Sequence, residues 1–407
     1  MSAKIAYIMS RFPHLPETFI LREMTELENN GRQIALYPLI LQQQSVVHAE
    51  AQSWLPRARA YPFLSPEILG ENARQLFRRP LQYGNLWRRV WWENRSSPNF
   101  FARAIALLPK SVLMARQMQS DGAQHIHAHY ATHPALVAWL IHQLNGVTYS
   151  VTVHAHDIFV RTAMLSAKMR DASFIIAISE YNREYLARVV GPWVREKIHV
   201  VHCGVRPEDY TPRLKRQRVE HLEILNIGSL QPYKGQKYLI EACALLKERG
   251  IKFRCRIVGS GEEKEPLQNL IEQRKLTDEV FLLGAKTQTE VAVLLHETDC
   301  YVQPSVVTAS GKKEGIPVAL MEALACAIPS VATSISGVPE LVRPNETGYL
   351  VEPENSQALA DVLQRIDQQP EEAERFGANG LALVLKEFDL RKNVKELNHL
   401  FTGLLDA

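Results

Sequence analysis

Short apolar segments alternate with amphipathic ones along nearly the whole chain, and few folds accept that pattern. Lys4 to Met9, Gln33 to Ile40, Gln124 to His129, Ser150 to His154, Phe174 to Ile178 and Ile198 to His202 read as strands. Such short apolar strands, with helices between them, are the mark of strands covered on both faces. Thr18 to Asn30 reads as an amphipathic helix closed by Gly31, residues 132–145 and 180–190 as further helices, and roughly 50–120 as a long helical region. A second series opens at Leu222 to Ile227 and continues with strands Phe253 to Val258, Val280 to Leu283, Cys300 to Val302, Ser330 to Ala332 and Gly348 to Val351. Its helices fall at 235–249, 263–274, 288–296 and 356–367. The pattern predicts an α/β protein built on doubly wound parallel sheets.

A length of 407 residues is too much for one ordinary core. Two domains are expected, 1–207 and 218–389, joined by the polar, basic, two-proline stretch Arg206 to Glu220. In open sheets of this kind ligands bind at the strand C-termini. No run of about 18 apolar residues and no signal-peptide pattern is present, so a cytoplasmic protein is expected. The five cysteines (203, 243, 255, 300 and 326) are odd in number and lack metal spacing, which predicts reduced thiols. Residues 1–210 carry 23 Lys and Arg against 16 Asp and Glu, while the remainder carries 24 against 28. Nine basic residues and a single acid, Glu93, lie between Arg74 and Arg116, so the first half is expected to meet an anionic partner.

The chemistry concentrates in Glu314-Gly315-Ile316-Pro317-Val318, followed by Glu322 inside an apolar helix over 318–326. Pro317 suits a helix start, since its missing N–H would have no partner there. A carboxylate inside an apolar helix is costly unless it has a partner. The free N–H groups at the helix start suit a phosphate, and Glu322 further in suits the hydroxyls of an attached sugar. That combination describes a nucleotide-sugar site.

This stretch resembles the Glu-x7-Glu signature of retaining glycosyltransferases of the GT-B fold, in the family numbered four. The resemblance extends to Gly228 through Gly235, Val258 through Gly261, Phe281 through Gly284, Asp299 through Ser305 and Gly337 through Glu340. In the first half it covers Val153 through Asp157 and Ser10 through Phe19, the latter similar to the opening of bacterial exopolysaccharide enzymes of the colanic-acid type. It implies two facing Rossmann-like domains with a central cleft, and a last helix, about 390–407, crossing back onto the first domain. It also implies an acceptor-binding first domain and a nucleotide-sugar-binding second one.

Carried over residue by residue, the resemblance assigns Lys234 to the diphosphate leaving group and Glu314 and His154 to the transferred sugar. Glu322 falls to the ribose. Gly235, Gly259, Gly261, Ala285, Lys286, Gly315, Ile316 and Val318 would line the donor. The family usually has Arg where this chain has Ser229, so the diphosphate clamp departs from the pattern there. Gly259-Ser260-Gly261 lacks the third glycine of a dinucleotide fingerprint, which disfavours NAD or FAD. Arg11, His14, Glu17 and Thr18 follow the first strand in a loop stiffened by Pro13 and Pro16; an acceptor-binding role stands beside simple helix capping. Asp157 is placed with the acceptor group, where orienting its own loop is the more natural task.

His125, His127, His129 and His133 invite a zinc reading, but no Cys or carboxylate lies near enough in sequence to complete it. No Asp-x-Asp motif stands where a metal-bridged diphosphate would need it, so no metal or other cofactor is expected. Arg78, Arg79, Trp87, Arg88, Arg89, Trp91, Trp92 and Arg95 mix cations with indoles. Peripheral contact with a membrane through 74–116 and tryptophans packed inward are both open; no nucleic-acid motif accompanies them. The leading reading is hexosyl transfer from a UDP- or GDP-sugar to a glycan hydroxyl on a lipid-linked oligosaccharide. A nucleotide-sugar epimerase, a sugar phosphorylase and a carbohydrate-binding protein with a decayed site stay open beside it.

Overall fold

A computed structural model describes residues 4–13, 17–42, 49–95, 97–160, 162–213 and 220–405. The chain forms two units, Met1–Val201 with Val394–Ala407, and His202–Asn393.

The first unit is built on six strands: β1 (Lys4–Phe12), β2 (Gln33–Leu41), β3 (Ala123–His129), β4 (Thr148–Val153), β5 (Ile175–Ala177) and β6 (Ile198–Val200). They pair in the order β2-β1-β3-β4-β5-β6, all parallel. Ile5, Ala6 and Ile8 on β1 have no exposed surface, as the run of apolar residues requires. Helix Thr18–Asn29 buries Ile20, Leu21, Met24 and Leu27 and exposes its charged face. Helix His133–Asn145 is apolar nearly all round and lies inside the unit, with Ala135 through Ile141 fully buried. The long helical region resolves into Ala49–Trp54, Pro66–Arg78, Pro80–Asn94 and Pro98–Ser120, the last three each opening on a proline.

In the second unit the strands are β7 (Leu222–Ile227), β8 (Phe253–Val258), β9 (Val280–Gly284), β10 (Cys300–Gln303), β11 (Ser330–Thr333) and β12 (Tyr349–Val351). Their order is β12-β11-β10-β7-β8-β9, again all parallel. The chain therefore reverses its winding between β7 and β10, and in the first sheet between β1 and β3. Loops leaving the C-terminal ends at such a reversal diverge and open a crevice.

The stretch expected to link the domains is docked instead. His202 through Arg213 belong to the second unit. Val205 N donates to Phe388 O at 3.0 Å, Leu390 N to Val205 O at 2.9 Å, and Arg213 N to Cys326 O at 2.9 Å. Buried Val205 and Tyr210 anchor it in the apolar core. Residues 214–219 of that stretch lie outside the described residues. Helix Leu390–Leu405 is counted with the first unit from Val394 onward. There Phe401 is fully buried, its ring 5.4 Å from His127 and 5.7 Å from Phe174, and Arg32 Nε donates to Asn398 Oδ1 at 2.6 Å. All five cysteines are free thiols, and four are buried.

Candidate functional site

At the reversal point of the second sheet, the loop after β7 meets the loop after β10. Lys234 Nζ lies 2.7 Å from Glu314 Oε2 and 2.9 Å from Glu314 Oε1. Ser305 Oγ adds a hydrogen bond to Glu314 at 3.3 Å, and Gln303 Nε2 donates to that hydroxyl at 2.8 Å. Burial alone would lower the Lys234 pKa; the Glu314 carboxylate beside it outweighs burial and leaves it raised. The side chain thus remains an ammonium. Two residues expected to act separately, one on phosphate and one on sugar, are here each other's partners.

Glu314 precedes helix Val318–Ala325, which starts at Pro317 as its cap position. Gly315 and Ile316 are buried in the turn, and the first N–H groups of the helix have no intrahelical acceptor. Glu322 accepts a hydrogen bond from Tyr210 OH at 2.6 Å. Tyr210 is the partner that a carboxylate in an apolar helix requires, and it comes from 112 residues earlier in the chain.

The expected donor-lining glycines have a reason inside the protein. Gly235 is left-handed (φ +69°), and a Cβ there would stand 1.9 Å from Pro304 O. A Cβ on Gly259 would stand 1.9 Å from Gly228 O, and one on Gly261 2.2 Å from Leu230 O. Their missing side chains thus allow a close approach between neighbouring loops. Ala285 and Lys286 follow β9 at the sheet edge, both exposed, and Lys286 Nζ pairs with Glu290 at 2.9 Å. At the departure from the family pattern, Ser229 O accepts from Gln236 Nε2 at 3.2 Å. Lys312, which sequence reasoning did not single out, donates to Gln231 Oε1 at 2.6 Å and lies 4.4 Å from the centre of the Tyr233 ring. Lys234 Nζ is 5.3 Å from the same ring, so two cations attend it.

In the first unit a cavity of about 490 Å³ opens at the reversal point between β1 and β3. Arg11, Glu17 and Asp157 line it, joined by Phe63, Arg103 and His156. His14 lies outside the described residues, and Thr18 does not line the cavity. Glu17 occupies the cap position of helix Thr18–Asn29 without a capping side-chain hydrogen bond, so capping does not explain it. Asp157 accepts from Ala131 N at 2.8 Å, Ala155 N at 2.9 Å and His154 N at 3.1 Å. It ties the loops after β3 and β4 together, and burial raises its pKa.

His154 is 7% exposed and sits between the rings of Phe19 (5.0 Å) and Tyr130 (4.6 Å). Its Nε2 is 3.1 Å from His129 Nδ1, and His129 Nε2 is 2.9 Å from Glu23 Oε1. Glu23 also comes close to His127. A carboxylate remote in sequence thus stands beside the histidine cluster, which the spacing argument could not see. His125 and His127 spend both ring nitrogens on the hydroxyls of Thr148, Ser150 and Thr152, at 2.7–2.9 Å.

The basic helical region divides its tryptophans. Trp87 packs toward the core, whereas Trp91 and Trp92 are 53% and 58% exposed. Phe77 and Leu81 are exposed beside Arg78 and Arg79. No helix among the described residues is long and apolar enough to cross a membrane.

The model of glycosyltransferase family four matches residues 65–209, and that of glycosyl transferases group 1 matches 213–404. A protein of Escherichia coli K12 named as a colanic acid biosynthesis glycosyltransferase, WcaL, is 32% identical over 374 residues, 90% of this chain and 91% of that protein. The chain belongs to glycosyltransferase family four. The amylovoran biosynthesis glycosyltransferase AmsK of Erwinia amylovora is 29% identical to this glycosyltransferase over 90% of its chain and 91% of AmsK. Among solved structures, a Rickettsia africae glycosyltransferase superposes with a TM-score of 0.73 at 16% identity, covering 99% of both chains. Anabaena HepE in complex with UDP superposes with a TM-score of 0.72 at 16% identity, covering 98% of this chain and 100% of HepE. These likenesses establish the GT-B fold of the glycosyltransferase.

Proposed function

We propose that this glycosyltransferase moves a hexose, with retention, from a nucleotide diphosphate sugar to a glycan hydroxyl in the assembly of a bacterial exopolysaccharide. The observation that carries the reading is the Lys234–Glu314 pair at the reversal point of the second sheet, beside the open start of helix Val318–Ala325. The ammonium and the helix N–H groups suit a departing diphosphate. Glu314 suits hydroxyls of the transferred sugar, and Glu322, already accepting from a hydroxyl, suits a ribose diol. Lys312 supplies the second cation that Ser229 leaves missing. HepE binds UDP, which supports a nucleotide ligand.

Charge at the leaving group is handled by residues of the chain itself, so the reaction needs no metal. Catalysis rests on positioning and on stabilising the diphosphate as it leaves. Attack comes from the face the leaving group vacates, with a donor phosphate oxygen taking the acceptor's proton. The acceptor lies in the first-unit cavity, against Arg11, Glu17 and Arg103. A lipid-linked acceptor fits the exposed Trp91, Trp92, Phe77 and Leu81 beside their arginines, which suit peripheral contact with the inner face of a membrane.

The test is a thermal-shift panel of nucleotide diphosphates, UDP-sugars and GDP-sugars on the wild type and on Glu322→Ala. A ligand at a hundred times its dissociation constant stabilises the fold by about 2.7 kcal/mol. A shift with one base class, lost in Glu322→Ala, is expected. No shift with any nucleotide overturns the donor site.

A further inference from the structure

Glu23 lies on helix Thr18–Asn29, outside every motif of the family resemblance, yet it anchors a chain of hydrogen bonds ending at His154. We propose that Glu23 and His129 are positioning residues that hold His154 with its proton on Nε2, so that Nδ1 is presented to the ligand as a hydrogen-bond acceptor. The proposal rests on the reading that His154 contacts the transferred sugar.

Donors and acceptors along this chain set where the protons sit. An ionised carboxylate accepts only. Tyr7 OH already donates to Glu23 Oε1 at 2.9 Å, which holds that oxygen in place. His129 Nε2, 2.9 Å from the same oxygen, must then carry a proton. As a neutral imidazole, with one donor and one acceptor, His129 would accept at Nδ1. At 3.1 Å from it, His154 Nε2 must be the donor. Between neutral rings, the opposite assignment would set two N–H groups or two lone pairs face to face in a buried site; only a doubly protonated His129 reverses the order, and it would put the His154 proton on Nδ1. His154 itself is neutral: burial holds its pKa well below the ordinary range. Its Nδ1 keeps a lone pair with no hydrogen-bond partner among the described residues, on a residue that is 7% exposed. A sugar hydroxyl pointing at it donates.

The backbone of His154 is pinned as firmly as its ring. Asp157 accepts from His154 N at 3.1 Å, and Asn182 Nδ2 donates to His154 O. A half-turn of the ring would put Cε1 where Nε2 stands and break the bond to His129. Glu23, His127 and His129 also place three ligand-type atoms within 4.8 Å of one another, as a metal site would. Each nitrogen of both histidines is already engaged, by Ser150 and Thr152 on one ring and by Glu23 and His154 on the other. A cation would have to break these bonds, so the cluster orients a proton and does not cage a metal.

The test uses the full chain labelled with 15N-histidine, with long-range proton–nitrogen spectra that report which ring nitrogen is protonated. His154 is expected as the Nε2–H form in the wild type and in Glu23→Gln, which keeps a carbonyl acceptor for His129. Glu23→Leu and His129→Phe should release it to a mixture of the two forms. A wild-type His154 protonated on Nδ1, or a Glu23→Leu spectrum unchanged at His154, overturns the proposal. The spectra decide it without any ligand. With the nucleotide sugar found by the thermal-shift panel, Glu23→Leu should lose about tenfold to a hundredfold in kcat/KM, the size of one mis-set hydrogen bond, and Glu23→Gln should rescue it. A His154→Ala variant with full activity would sink the sugar-contact reading and leave the spectra standing. Equal losses in Glu23→Gln and Glu23→Leu would overturn the relay alone.

Discussion

Acidification should unfold the first unit well before it titrates most carboxylates. His125 and His127 on β3 and His154 just past the end of β4 are buried and held neutral. Burial pulls His125 down to about 3, and burial with neighbouring histidines pulls His127 and His154 well below the ordinary value. The sign follows from proton counting. Below an ordinary histidine pKa of about 6.5, the unfolded chain binds three protons that the folded chain refuses, so stability is full above that pH and is lost as pH falls. Between about pH 6 and about pH 5 each histidine costs about 1 kcal/mol, close to the full slope of about 1.4 kcal/mol per proton and pH unit. Asp157, raised by burial, works in the opposite sense with at most one proton. Lys168, lowered to about 7 by burial, is charged in both states there and adds nothing to the slope. The net loss is about 3 kcal/mol over that unit. All six tryptophans lie between Trp54 and Trp193, inside the first unit, so urea unfolding followed by tryptophan fluorescence reads this unit alone. A loss below about 1 kcal/mol, less than one proton, would mean that the histidines are charged or hydrated in the folded chain, and the reasoning fails.

Four further outcomes follow from the same geometry. Gly235→Ala puts a Cβ on Pro304 O in a left-handed turn and should cost about 3 kcal/mol or more; an unchanged circular-dichroism melting point would contradict the packing account. Lys234→Met keeps the stem and removes the charge, so kcat should fall by about a hundredfold to a thousandfold while the fold persists, and a near-normal kcat would take Lys234 out of the leaving-group role. Trp91→Ser with Trp92→Ser should abolish co-sedimentation with anionic vesicles and change stability by no more than about 0.5 kcal/mol, since both rings are exposed. Exhaustive treatment with a chelator should leave turnover intact; activity lost and then restored by Mg²⁺ would refute a metal-free reaction.

How far the sequence reaches depends on the range of the physics involved. Runs such as Ile5-Ala6-Tyr7-Ile8-Met9 and Ile224-Leu225-Asn226-Ile227 betray doubly covered strands because burial on both faces removes the alternation that a half-exposed strand would carry. Glu314 and Glu322 stand out for the opposite reason: a charge inside apolar surroundings is too costly to be incidental. What stayed invisible is what those charges are paired with. Tyr210 reaches Glu322, Lys312 reaches Tyr233, and Glu23 reaches His129, each across more than 75 positions of sequence. No local period or spacing encodes such a meeting; only the sheet order does.

That limit also hid the carboxylate beside the histidine cluster. The histidines of β3 looked incomplete as a site because no carboxylate lay nearby in sequence. Parallel order β2-β1-β3 sets β3 beside β1, and the helix that follows β1 carries Glu23 to His129. The same adjacency gives Tyr7 its contact with both Glu23 and the His129 ring. In a doubly wound sheet the strands flanking the reversal point are neighbours in space and strangers in sequence. Groups that need a remote partner, a buried carboxylate or a histidine whose proton must be fixed, are therefore found there in both sheets: Lys234 with Glu314 beside β7 and β10, and Glu23 with His129 beside β1 and β3.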